Sequence, residues 1–174
     1  MPSTNSRMSA KYMIILGIDP GTARIGYAVI EKNNRGDLNL LTCDCLEIKN
    51  KNQAERLVEI SGFVSDLIKK YRPEIMGIEK LFFAKNAKTA LAVAEARGVV
   101  VNEAGSLNLK IREFTPLEVK IAVTGYGRAD KNQVKNMACR IVKIDTPPRL
   151  DDAGDALAIA IAACYTNPKL LVNS

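Results

Sequence analysis

The sequence predicts an α/β fold in which a five-stranded mixed sheet carries helices on both faces. Three strand-like segments come first and are joined by short turns, which pair neighbouring strands in antiparallel fashion. The later strand candidates are separated by helical segments, and such crossovers bring strands into parallel register. The 174 residues contain no internal repeat or low-complexity segment, so we predict a single domain with a substantial core.

The first part of the chain supplies the antiparallel strands. Residues 12–18 are mostly apolar and form the first strand candidate, and the turn at 19–22 leads into the second strand at 25–31. The polar segment 33–37 contains a glycine, which predicts a hairpin connection to a third strand at 38–48.

Helices and strands alternate in the rest of the chain. Apolar residues recur every three or four positions from Ala54 to Ile68, which predicts a helix that ends before Pro73. Pro116 suits the first turn of a short helix, and the two consecutive prolines at 147–148 predict a break before the last helix. The other predicted segments are strands at 75–81 and 110–114 and helices at 88–104, 116–123, 130–142 and 151–165.

The two ends of the chain are predicted to lie outside the domain. Residues 1–11 lack the apolar core of a signal peptide and are predicted to be a disordered extension or a cloning remnant. The folded domain is predicted at 12–167, followed by a C-terminal tail at 168–174. No segment is long and apolar enough to suggest a membrane span, so we expect a cytoplasmic protein with no membrane partner.

The charge balance favours a polyanionic partner. The chain has 25 lysines and arginines against 19 aspartates and glutamates, a net charge of +6. A basic surface suits nucleic acid, although charge alone is equally compatible with a basic protein that binds none. Cys43, Cys45, Cys139 and Cys164 have no zinc-site spacing, and we expect buried free thiols, the first two on one face of a strand.

Four acidic residues lie where acids are unfavourable. Asp19 and Glu79 each follow an apolar run that predicts a buried strand. Asp152 and Asp155 open the last predicted helix and lie about one turn apart on one face. Simpler explanations exist for each of them, because an acid can merely end a strand, and helix dipoles favour acids in a first turn, with Asp151 as the better N-cap.

A metal site explains all four acids together. A buried carboxylate without a partner costs several kcal/mol, and open sheets commonly place ligand sites at the carboxyl ends of strands. Four carboxylates can hold two divalent cations about 4 Å apart around a phosphodiester. Oxygen ligands favour Mg²⁺ or Mn²⁺, and the chain has no histidine, so metal would have to activate the attacking water.

Beyond the acids, several motifs resemble those of the RuvC family of Holliday junction resolvases. They occur in the family's order over about residues 13–165 and are specific as a set, whereas the first alone is weak. The motifs are 17–22 with Gly26 and Tyr27, then 77–86, 94–98, 126–134 and 152–160.

The resemblance implies an RNase H-like fold and a set of site residues. Asp19, Glu79, Asp152 and Asp155 match the catalytic metal ligands of the family, which implies two Mg²⁺ ions in each active site, with Mn²⁺ as a substitute. The residues implied to act on DNA are Lys120 and Lys131 near the scissile phosphate, with Lys131 also catalytic, and Phe82 at unpaired bases. Apart from the resemblance, the loop that contains Arg128 could approach phosphates closely, although a plain flexible loop is equally compatible with its sequence.

The resemblance also implies the reaction and its partners. A protein of this kind is expected to resolve Holliday junctions in homologous recombination and DNA repair by nicking two opposed strands symmetrically. It is expected to act as a homodimer on a four-way DNA junction, beside the RuvA and RuvB branch-migration proteins.

Three other interpretations fit parts of the sequence. RuvX/YqgF-type nucleases share the opening turn, but the region around Glu79 and the closing motif at 152–155 favour RuvC. The sugar kinase, actin and Hsp70 group has a similar opening motif but needs two such domains, and ATP binding would distinguish it. A DNA-binding module would need the basic surface but not four acids, and would bind a junction without cutting it.

Overall fold

The computed structural model describes residues 12–80 and 87–165 and has the predicted α/β architecture. Its sheet has five strands in the order β3-β2-β1-β4-β5. β1, β2 and β3 are antiparallel neighbours, whereas β4 and β5 run parallel to β1. The strands are β1 (Met13–Pro20), β2 (Arg24–Lys32), β3 (Leu38–Glu47), β4 (Ile75–Glu79) and β5 (Lys110–Phe114), and the helices are α1 (Gln53–Tyr71), α2 (Ala87–Ser106), α3 (Pro116–Thr124), α4 (Lys131–Ile141) and α5 (Asp151–Tyr165).

All ten predicted elements are confirmed, most with small shifts of their ends. β4 ends at Glu79, two residues before the predicted end at 81, which lies outside the described residues. Asp151 was expected to cap α5 but is its first residue, so that prediction is wrong. Its carboxylate instead lies 3.7 Å and 3.6 Å from the ammonium groups of Lys131 and Lys135.

Helices cover both faces of the sheet, as predicted. One face packs on α1 and α2, through a cluster that includes Leu16, Ile18 and Val64. The other face packs on α5, with α3 and α4 beside it, through a cluster that includes Ile15 and Ile159. Alternation along β1 assigns residues 15, 17 and 19 to the α5 face.

Glycines let α5 lie very close to the sheet. A Cβ at Gly17 would collide with the backbone oxygen of Ala156, and one at Gly26 would collide with the backbone oxygen of Asp152. The facing residues of α5 are themselves small, and its buried positions include five alanines between 156 and 163. This close contact brings the first turn of α5 against the last residues of β1 and the first residues of β2.

The cysteines are free thiols, as predicted, but only two of them are buried. Cys139 and Cys164 are buried, whereas Cys43 and Cys45 are partly exposed. The thiol of Cys43 donates to the backbone oxygen of Ala153 at 3.1 Å, because β3 turns this face toward the start of α5. Within residues 12–80 and 87–165, no helix is long and apolar enough to cross a membrane.

Candidate active site

Asp19 and Glu79 lie side by side at the carboxyl ends of β1 and β4, and this end of the sheet is the acidic edge. β1 and β4 are parallel neighbours, and Ile18 pairs with Ile78, so the next residue of each strand is an acid at the same edge. Glu79 alternates with Gly77, which contacts Ala163 and Ile159 of α5, so its carboxylate points to the α5 face. Both side chains are partly buried.

The first turn of α5 brings Asp152 and Asp155 to the same edge. Asp19 pairs with Gly26 across β1 and β2, and Gly26 is the residue on which the backbone of Asp152 rests. Asp155 follows one turn later on the helix face that lies toward Glu79. Sheet register and helix packing therefore bring the four predicted acids together.

The electrostatics of Asp19 reflect this convergence. Its pKa is raised from 3.8 to about 7, first by burial and then by repulsion from Asp155, Glu79 and Asp152, against the opposing effect of Lys131. The pKa of Glu79 is also raised, first by burial and then by Asp155. A carboxylate in such a field is stabilised either by a proton or by a cation.

Two basic side chains contact Asp152 and Asp155 of α5. Nζ of Lys131 lies 3.0 Å from Oδ2 of Asp155, and Nε of Arg24 lies 3.0 Å from Oδ2 of Asp152. Lys131 begins α4, whose start is fixed by a capping box between Asp130 and Gln133. Burial acts to lower the pKa of Lys131, but the hydrogen bond and charge of Asp155 outweigh it, so its pKa is raised.

Two adjoining cavities open at this edge. The larger, of about 620 Å³, is lined by Asp19, Glu79, Lys80 and Leu117 among others. The smaller, of about 310 Å³, is lined by Glu79, Asp155 and two lysines, Lys120 and Lys131. Lys120 reaches it from α3, which begins at Pro116 after a capping box at Thr115. A polyanion in the smaller cavity would meet both lysines.

The structure does not bring Arg128 to these cavities. Arg128 is exposed in the loop between α3 and α4, and it is not among the described residues that line either cavity. Phe82 lies outside the described residues, so its contact with bases stays a prediction.

Two arginines that sequence reasoning did not assign to the site contact it. Arg24 alternates with Gly26 on β2, and this spacing could have indicated that it faces α5. Arg97 on α2 donates from Nε to the backbone oxygen of Glu79 at 3.0 Å and from Nη2 to Glu113 at 2.7 Å. The contact from Arg97 fixes the end of β4, but no local pattern predicts it because it joins residues 18 positions apart.

The chemistry of the acids fits a hard divalent cation. All four supply oxygen ligands, which Mg²⁺ and Mn²⁺ prefer, and a cation would relieve the repulsion that raises the pKa of Asp19. The side chains are not gathered into a closed cage: in the part of the chain that the structure describes, no three acidic or thiol groups lie close enough to hold an ion.

The sheet order and the flanking helices are those of the RNase H-like class. The family model for "Crossover junction endodeoxyribonuclease RuvC" matches residues 15–163, and RuvC of Prochlorococcus marinus (strain NATL1A) is 46% identical over 88% of this chain and 99% of its own length. The chain therefore belongs to the RuvC family of crossover junction endodeoxyribonucleases.

Solved structures agree with this assignment. The structure of Thermus thermophilus RuvC matches with a TM-score of 0.81 and 30% identity, covering 88% of this chain and 95% of that one. The same protein in complex with a Holliday junction substrate matches with a TM-score of 0.79 and 28% identity, covering 88% and 94%. The RNase H-like fold predicted from the motifs is confirmed.

Proposed function

We propose that the protein resolves Holliday junctions in homologous recombination and repair, as a Mg²⁺-dependent endonuclease that nicks two opposed strands symmetrically. The observation that carries this proposal is the convergence of Asp19, Glu79, Asp152 and Asp155 at one edge of the sheet, beside the ammonium group of Lys131. The Thermus thermophilus relative in complex with a Holliday junction substrate supports the choice of a four-way junction as the substrate.

The four acids would hold the metal, with two Mg²⁺ ions in each site and Mn²⁺ as a substitute. When bound, divalent cations supply an activated water and stabilise the leaving oxygen of the phosphodiester. Asp19 and Glu79 are fixed by neighbouring parallel strands, whereas Asp152 and Asp155 are fixed by the packing of α5 on glycine. These rigid elements would orient the ligands before the substrate binds.

Lysines of α3 and α4 would bind the scissile phosphate. Lys131 and Lys120 line the same cavity as Glu79 and Asp155. An ammonium group near the phosphate stabilises the negative charge that develops on its oxygens during hydrolysis. The ion pair between Lys131 and Asp155 holds the lysine at this position, so we assign it a catalytic role and Lys120 a binding role.

The assembly follows from the reaction. Symmetric nicks in two opposed strands need two active sites, so we propose that the protein acts as a homodimer. Phe82 is proposed to contact unpaired bases of the junction, and Arg128 its phosphates. We further propose that it acts in the cytoplasm beside RuvA and RuvB.

A cleavage assay on a synthetic four-way junction and a matched linear duplex tests this proposal. With Mg²⁺ we expect paired symmetric nicks in the junction, an intact duplex, and no cleavage of either DNA in EDTA. Binding of the junction without cleavage would contradict the catalytic assignment of the acids. Equal cleavage of the duplex would contradict the junction specificity.

A further inference from the structure

Arg24 contacts the candidate active site from the first residue of β2. Its Nε lies 3.0 Å from Oδ2 of Asp152, and the two side chains are 44% and 32% exposed. Arg24 faces α5 because it alternates with Gly26, the residue on which the backbone of Asp152 rests. The direction of the strand and the close approach of the helix thus bring the two charges together.

Lys131 contacts Asp155, the other acid that α5 contributes to the site, in a similar way. Its Nζ lies 3.0 Å from Oδ2 of Asp155, at the start of a helix that Asp130 caps. Each carboxylate of the α5 pair therefore contacts a basic side chain, and the two cations come from different elements, β2 and α4.

Beside these ion pairs, the acids converge without forming a closed metal cage. Within residues 12–80 and 87–165, no three metal-ligating side chains lie close enough together to hold an ion, although Asp19 interacts with all three other acids. A guanidinium on Asp152 occupies a carboxylate oxygen, and its charge repels a divalent cation at short range.

We propose that Arg24 is a positioning residue that holds Asp152 in the metal-free protein and competes with the divalent cation for that carboxylate. The inference rests on the proposed function, because it takes Asp152 as a metal ligand. Arg24 stabilises the acidic edge without metal and lowers the affinity of the edge for metal. Lys131 has a proposed catalytic role, whereas Arg24 can be changed without removing a group assigned to the reaction.

Titration of the EDTA-treated protein with Mn²⁺, followed by electron paramagnetic resonance of the free ion, measures this competition. We expect Arg24→Gln to lower the Kd for Mn²⁺ by about two- to fivefold, the range for a partly exposed ion pair. Arg24→Lys keeps the charge and should leave the Kd near that of the wild type. In EDTA, Arg24→Gln should also lower the midpoint of thermal unfolding.

Two further variants separate the specific contact from general charge effects. Arg35→Gln makes the same charge change in the exposed connection between β2 and β3. That connection lies at the opposite edge of the sheet, because Lys32 pairs with Met13 whereas Gly26 pairs with Asp19. We expect Arg35→Gln to leave the Kd unchanged. In an Asp152→Asn background, Arg24→Gln should lose its effect on the Kd.

The outcomes distinguish this inference from the proposed function. An unchanged or raised Kd in Arg24→Gln, or an equal decrease in the Asp152→Asn background, overturns the role of Arg24. A purely structural ion pair would lower stability and leave the Kd unchanged. If the wild type binds no Mn²⁺ and leaves a four-way junction intact, the proposed function fails. If it binds Mn²⁺ and cuts the junction while Arg24→Gln keeps the wild-type Kd, only the role of Arg24 fails.

Discussion

Asp19 is the residue at which convergence with the other acids conflicts most clearly with stability. Burial and, to a smaller extent, the repulsion of three other acids together raise its pKa to about 7. The ammonium group of Lys131 offsets part of the repulsion but is itself paired with Asp155. Without metal, Asp19 therefore destabilises the folded state whenever it is ionised.

This conflict predicts an unusual pH dependence of stability. Because the folded pKa lies above the unfolded value of 3.8, the folded protein binds more protons than the unfolded chain between pH 3.8 and about 7. The contribution of Asp19 to stability is thus most favourable below that window and is lost as the pH rises through it. In EDTA, Asp19→Asn should raise the free energy of unfolding by about 2 kcal/mol more at pH 8 than at pH 5.

Urea unfolding across this pH range measures the difference. Asp66→Asn is the matched control, because Asp66 is exposed on α1 and does not line either cavity. If the free energy of unfolding of the wild type and of Asp19→Asn changed in parallel with pH, the ionised carboxylate of Asp19 would not destabilise the folded protein.

The same substitution should act in the opposite direction on catalysis. If Asp19 and Glu79 hold metal, Asp19→Asn and Glu79→Gln each remove a charged ligand and should lower the cleavage rate at least about a hundredfold. Junction binding measured in EDTA should stay within about twofold of the wild type, because phosphate contacts dominate such affinity. Asp66→Asn should cleave normally, and near-normal cleavage by either site variant would refute the metal assignment.

At the scale of elements, close contact between α5 and the sheet positions half of the site. Gly17 permits this contact, since a Cβ there would collide with the backbone oxygen of Ala156. Backbone cannot yield as a flexible side chain can, so Gly17→Ala should destabilise the protein by about 2–3 kcal/mol. Urea unfolding in EDTA gives this free energy directly.

A second glycine provides the control for that substitution. Gly62 lies within α1, and a Cβ there would meet nothing within 4 Å. Gly62→Ala should therefore stabilise the protein by up to about 1 kcal/mol, because alanine favours a helix more than glycine does. A loss of stability in Gly62→Ala, or none in Gly17→Ala, would contradict the packing described for α5.

Elements and acids were predictable from the sequence because their signals are local. Periodicity and capping residues indicate each helix. Asp19 and Glu79 stand out because they follow apolar runs, and Asp152 and Asp155 because they open an apolar helix. Alternation could have indicated the face of β2 on which Arg24 lies, but its contact with Asp152 was not predictable, because it depends on strand register and on the approach of a helix 128 positions away. Asp151 was wrongly assigned as the cap of α5, because its contacts with Lys131 and Lys135 are also formed only in the folded chain.

For the whole molecule, charge is divided between an acidic edge and a basic remainder. The chain carries +6 although four acids converge at one edge, so the rest of the molecule is more basic than the total suggests. Lys120 and Lys131 lie where this edge meets the smaller cavity. A polyanion would therefore bind around the edge and present one phosphate to the acids.

This distribution predicts strongly salt-dependent binding of a four-way junction. Each phosphate neutralised by a basic side chain releases counterions, so about four such contacts should weaken binding about a hundredfold between about 50 and 200 mM salt. Fluorescence anisotropy in EDTA measures the affinity without cleavage. Lys120→Gln should reduce the slope of log affinity against log salt by about 1.

The matched control for that slope is Lys69→Gln. Lys69 is exposed near the end of α1, which leads into the start of β4 and thus lies at the edge of the sheet opposite Glu79. We expect the slope of log affinity against log salt for Lys69→Gln to equal that of the wild type, because Lys69 cannot reach a phosphate held at the acidic edge. Equal slopes for all three proteins would show that Lys120 contacts no phosphate, and an affinity independent of salt would contradict binding through a basic surface altogether.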